Sequence, residues 1–306
     1  MSLSELVGRG LNPGRWAGLL LCLSFAIAQT SDFKISTDVN LVMLDVSARD
    51  AKGTYVSGLT KESFHVYEDD VEQKITEFSS EDMPVTVGLL MDDSGSMRQK
   101  RADVITAGLV FIGASNPKDQ IFVVNFNDKV RVGLPETVPF TDNIKLLGTA
   151  LSRDPAAGKT SLYDAVAWAL GHLDAGNGRK ALLVVSDGGD NASQHNLKDV
   201  TQMIQASRAT VYTVGLYDPD DPDRNPQVLR RFASASGGES FLPQEPAEIT
   251  PVCRKIARDI RARYTVGYIP MHTSAGSQLH KVRLSAVGPN HEKISVRTRT
   301  SYLDRQ

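Results

Sequence analysis

The chain is short of cysteine. Among 306 residues there are only Cys22 and Cys253, so no disulfide framework can stand in for a core. It also lacks an excess of either charge, with 34 Lys and Arg against 36 Asp and Glu and a net charge of -2. That argues against a partner recruited through a strongly basic surface, nucleic acid above all. Histidine is scarce as well, at 65, 172, 195, 272, 280 and 291, and none carries a motif around it. Internal repeats and low-complexity tracts are missing too. What remains is 41% hydrophobic and 23% charged, enough apolar material for a sizeable core in one or two domains.

The apolar stretch at 16–28, "WAGLLLCLSFAIA", is too short to span a membrane comfortably. Arg9 and Arg15 precede it, and Ala26-Ile27-Ala28 closes it with an A-x-A pattern. This predicts a secretory signal peptide over residues 1–28, cleaved after Ala28. The expected location is secreted or periplasmic, with no stable membrane span after cleavage. A retained anchor is the alternative. A lipoprotein reading through Cys22 is disfavoured, because Leu21 stands where a small residue is expected. Cleavage takes away Arg9, Arg15 and Glu5, a net +1, and leaves a mature chain near -3. It also leaves Cys253 alone, in a helical pattern with Val252 and Ile256, so no internal disulfide is expected.

Three zones differ in hydrophobic period. In the N-terminal β segment, 29–83, Val42, Leu44, Val46 and Ala48 alternate with Met43, Asp45, Ser47 and Arg49, the period of a strand. Residues 50–53 read as a turn. Residues 63–78 read as two short strands around Asp69-Asp70. Over 84–263 nearly continuous apolar runs at 85–91, 120–126, 180–186 and 209–216 alternate with helical patterns at 99–115, 142–153, 161–173, 196–207, 225–236 and 246–262. Such runs suit strands buried on both faces. Their alternation with helices predicts a doubly wound, mainly parallel α/β sheet. A Ser161–Asp164 capping box is expected to start one helix, and Asn225 to cap another. From 264 to 306 the period returns to two, with three strands expected. Neither flank is large enough for a core alone. They are expected to pair into one small β-sandwich-like domain, with separate docking sheets as the alternative.

Ligands of open α/β sheets bind beyond the carboxyl ends of the strands, where strand order reverses. "MDDSGSM" ends the first α/β strand, "VVSDGGDN" ends a later one, and "GKTSLYDA" leads into a helix. This fold places Asp92, Ser94, Ser96, Thr160 and Asp187 along one sheet edge. All are hard oxygen donors, with no thiol or imidazole among them, which suits Mg²⁺, Ca²⁺ or Mn²⁺. Two carboxylates and three hydroxyls leave a coordination position for water or a partner.

Asp92-x-Ser94-x-Ser96, then Thr160, then Asp187 in "SDG" resembles the metal-ion-dependent adhesion site of von Willebrand factor A domains. The resemblance spans roughly 84–262. It implies that Ser94, Ser96 and Thr160 touch the metal, Mg²⁺ first of all, while Asp92 and Asp187 often act through water. "VSGLTKESFHVYED" and "YTVGYIP" resemble flanks of bacterial secreted von Willebrand factor A-related proteins of acidobacterial type, a group that carries no defined biochemical role over to this chain.

Asp93 reads as a loop carboxylate at the rim. His195 follows Asp187 and reads as a rim polar group rather than a base. Asp218 and Asp220, in the acidic loop 217–226, read as rim residues too. Asn191-Ala192-Ser193 matches a glycosylation sequon and reads as loop. Asp93 to Ser96 also spells an aspartic-protease loop, but no second copy exists and the α/β period is wrong for that fold. A phosphotransferase would want Asp-x-Asp, and a serine hydrolase would want a positioned base. The expected function is therefore non-enzymatic capture of a protein ligand whose Asp or Glu completes the metal shell. The alternatives are a structural or assembly component of an envelope complex and a metal-dependent hydrolase. Oligomeric state is not legible.

Overall fold

The flanks and the central α/β region fold as two layers sharing the chain in an interleaved order. The computed structural model describes residues 41–153, 155–217, 224–271, 278–289 and 292–303. The expected signal peptide, Asp218 and Asp220 lie outside the described residues.

The first flank supplies β1 (Val42–Arg49), β2 (Phe64–Glu68), β3 (Val71–Gln73) and β4 (Ile75–Ser79). The α/β region follows with β5 (Val85–Asp92), α1 (Arg101–Ala114), β6 (Gln120–Phe126), β7 (Val130–Val132), α2 (Ile144–Leu151) and α3 (Leu162–Leu173). It continues with β8 (Arg179–Ser186), α4 (Leu197–Ala206), β9 (Thr210–Gly215), α5 (Pro226–Ser236), β10 (Ser240–Phe241) and α6 (Pro246–Arg261). The second flank adds β11 (Arg263–Tyr268), β12 (Leu279–Val287), β13 (Lys293–Arg297) and β14 (Ser301–Leu303).

The α/β sheet has the order β10-β9-β8-β5-β6-β7. All neighbours are parallel except the β6–β7 hairpin. Every residue of β5 is buried, as a strand covered by helices on both faces requires. Gly88 makes that packing possible: a Cβ there would sit 2.4 Å from the Phe122 ring and 2.6 Å from Leu182. The chain passes from β5 to β6 on one side and later to β8 on the other. Strand order therefore reverses beside β5, the position where such sheets bind ligands.

The β strands of both flanks form one antiparallel path, β3-β2-β12-β13-β1-β11-β4, with β14 added to β12. The α/β region leaves after β4 and returns through β11, and these two strands pair. The path rolls over on itself: Phe64 of β2 and Phe78 of β4 have ring centroids 5.7 Å apart, and both lie against Tyr264. One apolar core fills the roll, with Leu44, Val46, Val66, Val266, Val282 and Leu284 among its members.

The polar face of β1 meets the α/β region rather than solvent. Buried Asp259 of α6 accepts hydrogen bonds from Ser47 Oγ (2.8 Å) and Tyr55 OH (2.6 Å), and pairs with Arg49 and Arg263 at 3.1 Å each. Tyr212 of β9 donates to its other oxygen. Burial works to raise the Asp259 carboxyl, but Arg263 and these hydroxyls hold it well below the usual carboxylate range. Cys253 is buried, and burial pushes its thiol up to about 12. Among the described residues, no helix is long and apolar enough to cross a membrane.

Candidate functional site

Beyond the carboxyl ends of β5 and β8, four of the five expected donors form one hydrogen-bonded group. Asp92 is the last residue of β5 and is fully buried. Its Oδ1 accepts the Ser94 N–H (2.9 Å), and its Oδ2 accepts the Ser186 hydroxyl (2.6 Å). Ser94 and Ser96 hydroxyls lie 3.1 Å apart. Ser96 Oγ donates to Asp187 Oδ2 at 2.6 Å, and Asp187 Oδ1 accepts the Gly189 N–H at 2.9 Å. Asp92, Ser94 and Asp187 are buried, whereas Ser96 is exposed. One hydroxyl of the group thus reaches the surface.

Burial and then the neighbouring Asp187 charge push the Asp92 carboxyl up to about 7, against the pull of the Ser186 and Ser94 hydrogen bonds. Two carboxylates this close and this dry destabilise one another as anions. A divalent cation would relieve that repulsion, and the group offers only hard oxygens, so the residues fit a Mg²⁺-, Ca²⁺- or Mn²⁺-type ion.

Thr160, the fifth donor, reaches this edge through its loop. Gly158 adopts φ +85°, and its carbonyl accepts the Gly95 N–H at 3.0 Å. Ala157 N–H donates to the Asp93 carbonyl at 2.8 Å. Thr160 itself is buried, with its N–H on Asn191 Oδ1 (2.9 Å) and its carbonyl taking the Asn191 and Ala192 N–H groups at 3.0 Å. The loops after β5 and β8 thus hold the Thr160 loop from both sides.

The rim residues divide. Asp93 is not at the surface: it is completely buried, with Arg101 of α1 2.7 Å away. His195 is half exposed and turned to Asp164, with Nδ1 2.7 Å from Oδ1. Burial works to raise Asp164, but the His195 and Gln194 N–H groups and the His195 ring hold it low. Of the acidic loop, Asn225 is described. It sits at the start of α5, but its side chain makes no capping hydrogen bond. Its N–H goes to the Asp187 carbonyl at 3.0 Å instead, so the loop ends beside the site.

The expected Ser161–Asp164 capping box is replaced. Ser161 Oγ donates to the Asn127 carbonyl (2.6 Å). The first turn of α3 is capped from the loop after β8, where Asp190 Oδ2 accepts the Tyr163 N–H and Ser193 Oγ the Asp164 N–H. Sequence reasoning missed Ser186, Asp190 and Arg101 as supports. The only local signal was the adjacency of Ser186 to Asp187.

Residues 87–189 match the family model of the von Willebrand factor type A domain. With the fold above, the α/β region has a von Willebrand factor A-like fold. Among solved structures, the chain is similar to a von Willebrand factor type A protein from Catenulispora acidiphila. That match has 16% identity and a TM-score of 0.52, and covers 86% of this chain and 73% of the other. A second is the vWF domain of the type V pili tip protein Mfa5 from Porphyromonas gingivalis, at 14% identity, 58% and 95% coverage and a TM-score of 0.49. A third is the manganese-loaded TRAP protein of Plasmodium vivax, at 14% identity, 77% and 97% coverage and a TM-score of 0.45. At such identities the likeness is one of fold. No curated protein matches the sequence.

Proposed function

We propose that this chain is a secreted or periplasmic, non-enzymatic binding module that captures a protein ligand at a divalent-cation site. Ser94, Ser96 and Thr160 would hold the ion, Mg²⁺ first of all, with Asp92 and Asp187 fixing its surroundings. A cation bound there supplies a positive charge that a carboxylate of the partner satisfies. The observation that carries the reading is the hydrogen-bonded group of Asp92, Ser94, Ser96 and Asp187 at the reversal of strand order.

The chain's own residues prepare that edge. Ser186 and the Ser94 N–H fix both oxygens of Asp92. Arg101 is spent on Asp93 rather than on the donor group. The His195 ring is engaged with Asp164, which supports binding over base catalysis.

The test is capture from envelope and extracellular extract on immobilised protein, in Mg²⁺ or EDTA. Partner capture is expected in Mg²⁺, and loss of it in EDTA and in Ser96→Ala. Capture that survives both would overturn the cation-bridged reading. Capture unchanged while EDTA lowers the melting temperature would favour the structural, assembly-type role instead.

A further inference from the structure

A second cluster of ligand atoms lies in the rolled β layer, built from both flanks. Strand β12 alternates exposed and buried positions, and its buried row is His280, Val282, Leu284 and Ala286. An imidazole thus occupies the end of an apolar row. Glu68 ends β2, in register with Val282 one position along the same row, and is only 5% exposed, as is His280. Buried polar groups of this kind are costly unless satisfied.

Each carboxylate has one oxygen already held. Glu68 Oε2 accepts the hydroxyls of Tyr268 (2.6 Å) and Tyr302 (2.9 Å). Asp69 Oδ1 accepts the Lys281 N–H at 2.9 Å. The other oxygens turn to one point: Asp69 Oδ2 is 2.8 Å and Glu68 Oε1 3.8 Å from His280 Nδ1. One ligand atom from each of the three residues lies within 4.8 Å of the other two. A separation of 3.8 Å is too long for a hydrogen bond, and Nδ1 has one proton at most to share between two carboxylates. It is close to the spacing of two atoms bound tetrahedrally to one ion at about 2.1 Å, roughly 3.4 Å apart. The Tyr302 ring stacks on His280 at 5.3 Å and fixes its plane. Asp69 is placed by a tight turn, with φ of 47° and 67° at Asp69 and Asp70.

We propose that Glu68 Oε1, Asp69 Oδ2 and His280 Nδ1 form a zinc-type metal site, separate from the adhesion-type edge. One imidazole with two carboxylates is a nitrogen–oxygen set suited to Zn²⁺, with water in the fourth position. The two anionic ligands balance the ion's charge. Tyr268, Tyr302 and the Lys281 N–H are the outer partners that orient such ligands. The site joins β2 of the first flank to β12 of the second, so the ion would clasp the two flanks together. It requires nothing of the Mg²⁺ reading.

The test is a calorimetric Zn²⁺ titration of the chelator-stripped chain in saturating Mg²⁺, which keeps the first edge out of the measurement. One Zn²⁺ per chain is expected. Glu68→Gln and His280→Gln each weaken it at least tenfold, whereas Asp92→Asn leaves it unchanged. Asp69→Asn, at a half-exposed position, gives the same loss if the buried variants fail to fold. In long-range ¹H–¹⁵N spectra, His280 Nδ1 shifts to a metal-bound, unprotonated position on zinc addition. The proposal is overturned by no zinc uptake, by full uptake in Asp69→Asn or His280→Gln, or by an Nδ1 that keeps its proton in excess zinc. That last result would make the His280 Nδ1–H a hydrogen-bond donor to the carboxylates instead of a metal ligand.

Discussion

At the scale of single residues, the least replaceable side chain outside the candidate site is Asp259. It is buried and faces Arg263 and Arg49, with Ser47, Tyr55 and Tyr212 donating to it. Removing one partner of such a buried pair strands the other charges, a loss of about 3–5 kcal/mol. Asp259→Asn is therefore expected to lower the urea midpoint markedly. The pH dependence follows from the direction of the shift. The folded-state value is depressed below the unfolded one, which lies near about 4. The stabilisation is thus fully present above that pH and is lost as pH falls through the folded value. Urea midpoints between pH 6 and pH 3 should fall more steeply in the parent than in Asp259→Asn. Parallel curves would mean that Asp259 does not carry the acid sensitivity.

At the scale of elements, the loop from α2 to α3 decides whether Thr160 reaches the edge. Gly158 sits at φ +85°, and a Cβ there would lie 1.8 Å from Asp128 Oδ1, which accepts the Lys159 N–H. Gly158→Ala is expected to cost at least about 1 kcal/mol from backbone strain alone. It should also displace Thr160 and weaken Mg²⁺ binding by calorimetry, while Gly171→Ala, on α3 with open space around its Cβ position, should not. Equal Mg²⁺ affinity in the two variants would show that the loop does not position the donor.

The elements also show what the sequence could say. Long apolar runs such as 85–91 and 181–186 became buried strands, as a sheet covered on both faces requires. The sheet edge then followed, and with it the place of Asp92 and Asp187. The single strand expected over 292–303 is two, because β13 pairs with β1 and β12 while β14 pairs with the start of β12. Residues 63–78 likewise hold three strands rather than two. What was not legible is non-local: Asp190 and Ser193 cap a helix 27–29 residues earlier in the chain, and Arg101 finds Asp93 across the loop between β5 and α1.

At the scale of the whole molecule, β8 connects the β layer to the candidate site. Arg179 at its start donates to the Arg263 carbonyl (2.7 Å) and lies 3.6 Å from Asp45 of β1. Asp187 follows its last residue, roughly 25 Å away at strand rise. The β layer therefore grips the amino-terminal end of β8, the end of the strand opposite Asp187. A junction of buried ion pairs and hydrogen bonds makes partial unfolding costly, since detaching the β layer separates Asp259 from Arg49 and Arg263, and Arg179 from the Arg263 carbonyl and Asp45. The two layers should then open as one cooperative unit. Hydrogen exchange followed by mass spectrometry is expected to give the slowest amides of β1 and β11 the same opening free energy as those of β5 and β8. In Arg179→Met, which keeps bulk but not the Arg263 carbonyl and Asp45 contacts, the β1 and β11 amides should separate into a faster class. Separate classes in the parent protein would instead mean that the β layer is an independently opening appendage, and the junction a contact without cooperative weight.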